Sequence, residues 1–189
     1  MRPTEFLSIV VLALAIYSPL QVFAHSAEPF SAALETLQNQ IEYTFENIGI
    51  LRRAVTHASF SEENNKALSI LGASVIESSI ALKSLTNNVD ISPKDLNRRI
   101  SEICNVETSC AKDGSKWGLE KVVRVSPKTD SSTPAVVCGA FRAVIGAVAL
   151  DTGNSEEAMR VFWTGHDGSG SRRANSKVLG LYRLPVLVN

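Results

Sequence analysis

Residues 66–85 are the longest stretch in which apolar side chains recur at helical spacing, and they limit the fold more than any other feature of the chain. Leu68, Leu71, Val75, Ile76, Ile80, Leu82 and Leu85 form a stripe too broad for a surface helix, so a central helix covered on several sides is expected. Neighbouring segments must supply the cover. Residues 31–45 present Ala33, Leu34, Leu37, Ile41 and Phe45 on one helical face, and residues 50–58 present Ile50, Leu51, Ala54 and Val55. Ser92 and Pro93 read as the cap and first residue of another helix, with Leu96, Ile100 and Ile103 turned inward. Residues 135–150 are almost continuously small and apolar and stop at Asp151-Thr152-Gly153. Residues 155–162 restart a helix, with Ser155 as its cap and Glu156 and Glu157 in the favourable first turn. Between residues 106 and 133 the pattern gives out, and the short run 119–125 fits a strand or a helix. At 189 residues the chain is long enough for one domain with its own core, and no internal repeat argues otherwise.

Lys plus Arg and Asp plus Glu each total 19, giving zero net charge, whereas a dedicated nucleic-acid binder ordinarily carries a basic excess. Residues 1–24 follow the grammar of a secretory signal: Arg2, an apolar centre at 9–16, a breaker at Pro19 and a small-residue cleavage site ending at Ala24. An uncleaved membrane anchor is the alternative; the segment is short for it, since a spanning helix wants about 20 apolar residues. One Arg and no polar face count against a mitochondrial presequence. Residues 164–189 are polar and Gly-rich, then basic at Arg172, Arg173 and Lys177, then apolar, and read as a C-terminal extension. Cys104, Cys110 and Cys138 are an odd number, so an oxidising compartment allows at most one internal bridge among them. Cys104 and Cys110, six residues apart near a helix end, are the candidate pair; buried free thiols are the other reading. No Asn-x-Ser/Thr triplet marks a glycosylation site.

Three stretches stand in a telling order. Tyr43-Thr44-Phe45 precedes Leu51-Arg52-Arg53-Ala54-Val55-Thr56-His57-Ala58-Ser59-Phe60. Next comes Asn65-Lys66-Ala67-Leu68-Ser69-Ile70-Leu71-Gly72-Ala73-Ser74-Val75, and then Cys138-Gly139-Ala140-Phe141-Arg142-Ala143-Val144-Ile145-Gly146-Ala147-Val148-Ala149-Leu150-Asp151. Together they resemble the ribonuclease III endonuclease domain, whose signature reads Asn-Glu-Arg-Leu-Glu-Phe-Leu-Gly-Asp-Ala-Val. The resemblance covers residues 33–163 and implies an all-α, ribonuclease III-like helical bundle. No double-stranded-RNA-binding domain is expected after it, because 26 residues follow Trp163. Family members pair through the surface around the signature helix, and Leu68, Ile70 and Leu71 keep that surface apolar, so a homodimer is expected.

The family cleaves duplex RNA with divalent metal held by four carboxylates, at i and i+4 on one helix and i and i+3 on another. Such spacings put side chains on one face, where several oxygens converge on a hard cation. Here the four positions hold Ser69, Ala73, Gly139 and Arg142, none of them acidic. Glu77, Glu102 and Asp151 are the carboxylates available to rebuild such a site, but a cationic Arg142 would repel any ion beside it. His57 and His166 have no partner carboxylate at a telling spacing and read as packing residues. Without metal there is no activated water. The sequence therefore points to a chain with no cofactor and no enzymatic activity, acting in the secretory pathway (endoplasmic reticulum lumen, nuclear envelope or outside the cell) on an unidentified protein partner. The alternative is a catalytically dead RNA-binding or RNA-processing factor using Arg142, Arg98 and Arg99, joined by Arg172 and Arg173. Zero net charge favours reading these arginines as solvated helix faces.

Overall fold

The computed structural model describes residues 20–167, with side-chain burial described from residue 29. Within them run α1 (Leu20–Ile41), α2 (Ile48–Ala54), α3 (Lys66–Asn87), α4 (Pro93–Ile103), a five-residue π-helical turn (Val106–Cys110), α5 (Ala111–Lys116), α6 (Leu119–Val122), α7 (Pro134–Thr152) and α8 (Glu156–His166). Among the described residues no strand forms, and the extended pattern is limited to one isolated parallel bridge between Thr56 and Arg124. The all-α expectation holds.

The centre lies elsewhere than expected. The stretch 143–149 of α7, not the 66–85 segment, is enclosed on all sides: every residue from Ala143 to Ala149 is buried, as are Val136, Val137 and Cys138 nearer its start. A helix apolar around its whole circumference has no face left for water. α3 covers one flank of it through Leu68, Gly72, Val75, Ile76 and Ile80, whereas Leu71, Leu82 and Leu85, expected inside, stay 39–40% exposed. The reason is that α3 packs mainly against α7 and only lightly against α4 and α8, so the broad stripe read from the sequence is half interior and half surface. Phe141 and Phe162 fill the space between α7 and α8, with Trp117 tilted against Phe141 at 4.8 Å. Burial of each such ring contributes about 2 kcal/mol.

α3 and α7 pass closest at two glycines. A Cβ on Gly72 would lie 1.7 Å from the carbonyl oxygen of Arg142, and one on Gly146 would lie 2.1 Å from that of Leu68. Only bare backbone fits there.

Helix ends are set locally. α1 stops at Ile41 rather than Phe45, because Glu42 turns into positive φ (52°) and the next residues are gathered by Asp151. That carboxylate accepts from the Tyr43 hydroxyl at 2.7 Å and from the Glu46 and Asn47 amides at 2.8 and 3.0 Å. α2 ends before residue 58, since the His57 amide leaves to donate to the Arg124 carbonyl at 2.9 Å. Ser92 caps α4 as its sequence implies, its Oγ accepting from the Asp95 amide at 3.1 Å. Ser155 does not cap α8; Asn154 does this instead, accepting from the Glu156 amide at 3.0 Å. Residues 119–125 resolve into the single turn of α6 followed by an extended residue pair. The far end of α8 is pinned by buried Asp113 of α5, which bonds His166 Nδ1 at 2.6 Å and Lys116 Nζ at 2.8 Å.

Candidate metal face on the central helices

The crossing positions the four residues that the sequence singles out. Ser69 and Ala73 sit one turn apart on α3, Gly139 and Arg142 one turn apart on α7, and all four are half-buried along the rim of the contact. Gly72 contacts the Arg142 carbonyl, so the two helices bring Ala73 and Arg142 to the same place. A Cβ on Gly139 would meet no atom within 4 Å, so this part of the rim opens onto free space.

The donor set does not suit a hard cation. Ser69 supplies a neutral hydroxyl, Ala73 and Gly139 supply no side-chain donor, and Arg142 supplies positive charge. The guanidinium is also engaged: Arg142 Nη2 donates to the Cys104 carbonyl at 2.8 Å, tying α7 to the C-terminal end of α4. A cation there meets the exposed carbonyls and negative pole of α4. α3 and α7 carry one acid each, Glu77 and Asp151. Glu77 is exposed and lies near enough to raise the Cys104 thiol. Asp151 is nine residues beyond Arg142, about 14 Å along the helix, and its oxygens are taken up by the loop after α1. Glu102 is exposed on α4. Among the described residues no three His, Cys, Asp or Glu side chains are grouped so as to hold a metal ion.

Burial, and then the bond to Asp151, push the Tyr43 hydroxyl well above its ordinary range, so it stays a neutral donor. The Cys104 thiol is raised first by burial and then by Glu77, with Arg142 pulling the other way. The disulfide differs from the candidate pair: Cys110 is bonded to Cys138, and Cys104 is free. Cys104 ends α4 while Cys110 ends the π-helical turn that lies directly against α7, so the nearest sulfur in space is 28 residues away rather than six.

The other candidate residues are dispersed. Arg98 pairs with Asp95 at 2.8 Å, and the Ser92 hydroxyl together with Arg98 holds the Asp95 carboxyl below its usual range. Arg99 is exposed on the same helix, whereas Arg172 and Arg173 lie outside the described residues. His57 orders its own loop, its Nδ1 accepting from the Ser59 amide at 3.1 Å. His166, in contrast, does have a partner carboxylate, and sequence spacing missed it because Asp113 is 53 residues away. Asp113, Lys116 and the stacked Phe162 ring hold this histidine as a pin between α5 and α8; among the described residues no side-chain hydroxyl or thiol bonds to it.

With this geometry in place, comparison with known proteins is informative. Residues 47–164 match a family model described as Ribonuclease-III-like. Protein NUCLEAR FUSION DEFECTIVE 2 of Arabidopsis thaliana is 53% identical over 146 residues, an alignment covering 77% of this chain and 76% of that protein. Ribonuclease 3 of Albidiferax ferrireducens is 33% identical over 124 residues, covering 64% of this chain and 54% of the enzyme. The chain thus spans about half the length of that bacterial relative. The nuclease domain of ribonuclease III from Campylobacter jejuni, solved in a study of flexibility in its dimer-forming region, superposes with a TM-score of 0.68 at 24% identity, covering 71% of this chain and 96% of that one. At that identity the likeness concerns the fold.

Proposed function

This chain belongs to the ribonuclease-III-like family, and on that premise we propose that it is a non-catalytic member, an interaction protein rather than a nuclease. One observation carries the reading: the face expected to hold four carboxylates holds Ser69, Ala73, Gly139 and an Arg142 already bonded to Cys104. The test is incubation of the purified protein with duplex RNA and Mg2+ or Mn2+. No cleavage above a buffer control is expected, and turnover that chelation abolishes would overturn the proposal.

By its likeness to the Arabidopsis relative, we place the chain's role in nuclear fusion, in the joining of polar nuclei in the female gametophyte. Expression of this chain in plants lacking that relative is expected to restore fusion; unfused nuclei despite normal protein levels would refute the assignment. The proposed compartment is the secretory pathway, with the signal at residues 1–24, of which 1–19 lie outside the described residues. Two features support it. The Cys110–Cys138 bridge suits an oxidising lumen. Pro29, costly inside a helix, falls within α1 five residues after Ala24, where it suits the first turn of a helix that begins after cleavage. N-terminal sequencing of the mature protein tests the cut, with His25 the expected first residue.

We further propose pairing of two copies. Ile70 stands 72% exposed on α3 beside a cleft of about 380 Å³ lined by Asn47, Ile50, Arg53, Ala67, Leu68 and Leu150. A two-fold pairing sets the projecting side chain of each copy into the cleft of the other. Ile70→Glu is expected to yield monomer in light scattering; a monomeric parent protein would remove the idea. The RNA-binding alternative rests on Arg99, Arg98 and Arg142, of which the last two have partners within the fold. A gel-shift titration at physiological salt decides it.

A further inference from the structure

Three cysteines meet at one junction. Cys110 closes the π-helical turn and is bonded to Cys138 near the start of α7. Its amide donates at 2.8 Å to the carbonyl of Asn105, the residue that follows Cys104. Cys104 is the C-cap of α4, and its own carbonyl accepts from Arg142 at 2.8 Å. Arg142 lies four residues after Cys138, hence one turn along the same face of α7. Cys104 is thus the free thiol of this junction, close enough to Arg142 to feel its charge, while Cys110 carries the disulfide six residues further along the chain.

We propose that these residues form an intramolecular thiol–disulfide exchange centre, in which the Cys104 thiolate attacks Sγ of Cys110 and displaces Cys138. The Cys104–Cys110 bond forms as the Cys110–Cys138 bond breaks. Cys138 departs as a thiolate and takes from solvent the proton that Cys104 gave up. One disulfide replaces another, so no oxidant or reductant is consumed. Arg142 assists the attack, because its charge favours the Cys104 thiolate. Burial and Glu77 oppose ionisation of Cys104, so exchange is slow at neutral pH and quickens with base. α4 is the element able to deliver the thiol, because it has no fully buried residue, and Leu96, Ile100 and Ile103 are half-covered. The wide π-helical turn between the two cysteines is a conformation frequent at functional sites. Exchange would cut the covalent tie between this turn and α7 beside Gly139 and Arg142, giving that rim two covalent states.

The test is disulfide mapping of the full chain, kept at pH 7 or pH 9 without added thiol, quenched in acid, alkylated and digested for mass spectrometry. The expected result is Cys110–Cys138 as the main species at pH 7, with Cys104–Cys110 appearing about tenfold faster per pH unit, as the thiolate fraction rises. Arg142→Ala is expected to slow that appearance several-fold and Arg142→Lys to restore most of it. Cys138→Ala probes reach directly: with oxidised glutathione, Cys104 and Cys110 should bond while far-UV circular dichroism stays helical. Both thiols remaining alkylatable in the folded variant would overturn the proposal. Should that variant not fold, the pH 9 mapping decides alone, and absence of a Cys104–Cys110 peptide refutes the exchange.

Discussion

The crossing of α3 and α7 and the rim beside it are built from the same two helices, one to seven residues apart, yet they tolerate opposite things. At the crossing, Gly72 and Gly146 leave no room for a methyl group. On the rim, Gly139 faces open space, Ser69 and Ala73 are half-covered, and Arg142 reaches away to α4. The crossing is fixed by backbone contact and shows in sequence as small residues at set places. The rim makes few packing contacts, so its side chains answer to chemistry instead. On the proposed non-catalytic reading, this is how a ribonuclease III-like fold stands with no carboxylate at those four rim positions.

The most forceful way to break that contrast is to put a methyl group on the crossing. Gly146→Ala or Gly72→Ala drives a Cβ into the backbone of the facing helix at about 2 Å, and backbone cannot step aside as a flexible side chain can. Loss of more than about 4 kcal/mol is expected, enough to abolish cooperative unfolding in a domain of ordinary stability. Thermal circular dichroism checks it; a variant melting within a few degrees of the parent would show that the helices can separate cheaply.

Removing the Cys110–Cys138 bridge acts on the flank that holds the rim. The bridge closes a loop of sequence separation 28, so the double variant Cys110→Ala/Cys138→Ala is expected to lose about 3 kcal/mol in urea melts. Hydrogen exchange should rise first in α4 and the π-helical turn and last in α7. A uniform rise across all helices would contradict the view that the flank is the weaker region.

These contrasts also mark how far the sequence could be read. Six of the helices, the Ser92 cap and the turn at Gly153 were legible because each rests on residues adjacent in the chain, whereas the π-helical turn, α5 and α6 were not. The tight crossing was not read, although Leu71-Gly72 and Ile145-Gly146 stand in the family-like stretches, because a glycine alone does not say which backbone approaches it. Which helix sits at the centre was not, because α3 and α7 are both apolar, and only the placement of α8 and the turn before α5 decides it. The Cys110–Cys138 bridge, the Asp113–His166 pair and the Arg142–Cys104 bond join residues 28, 53 and 38 apart, and no local pattern encodes such meetings. Of the candidate metal face, the identity of all four side chains was visible from the start, and the direction in which Arg142 points was not.

A smaller effect separates α7's acid from the rim. Tyr43→Phe removes the donor to Asp151 and is expected to cost about 1–2 kcal/mol at neutral pH. The pH dependence has a definite sign. The folded hydroxyl is raised above its unfolded value of about 10, so its stabilising contribution is complete below that pH and fades above it, as the unfolded hydroxyl ionises while the folded one stays neutral beside Asp151. The alkaline fall in stability between pH 10 and the onset of general denaturation should be shallower in the phenylalanine variant. Equal slopes would place Asp151 outside the packing role assigned to it, returning it to the carboxylates available to the rim.

The smallest expected effect has the opposite sign and tests the rim itself. Gly139 is inside α7, has ordinary helical φ and would meet nothing within 4 Å if given a Cβ. Glycine in a helix interior costs about 0.5–1 kcal/mol relative to alanine, mainly because its unfolded state is more flexible. Gly139→Ala is therefore expected to raise the melting temperature by about 2–4 °C, while the same substitution seven residues along α7 at Gly146 prevents folding. Two glycines on one helix with opposite responses to one methyl group would locate the boundary between packing and open rim to within two turns. A destabilised Gly139→Ala would mean that something covers this face in solution, and a second copy of the chain seated over α7 rather than over Ile70 would then be the first thing to look for.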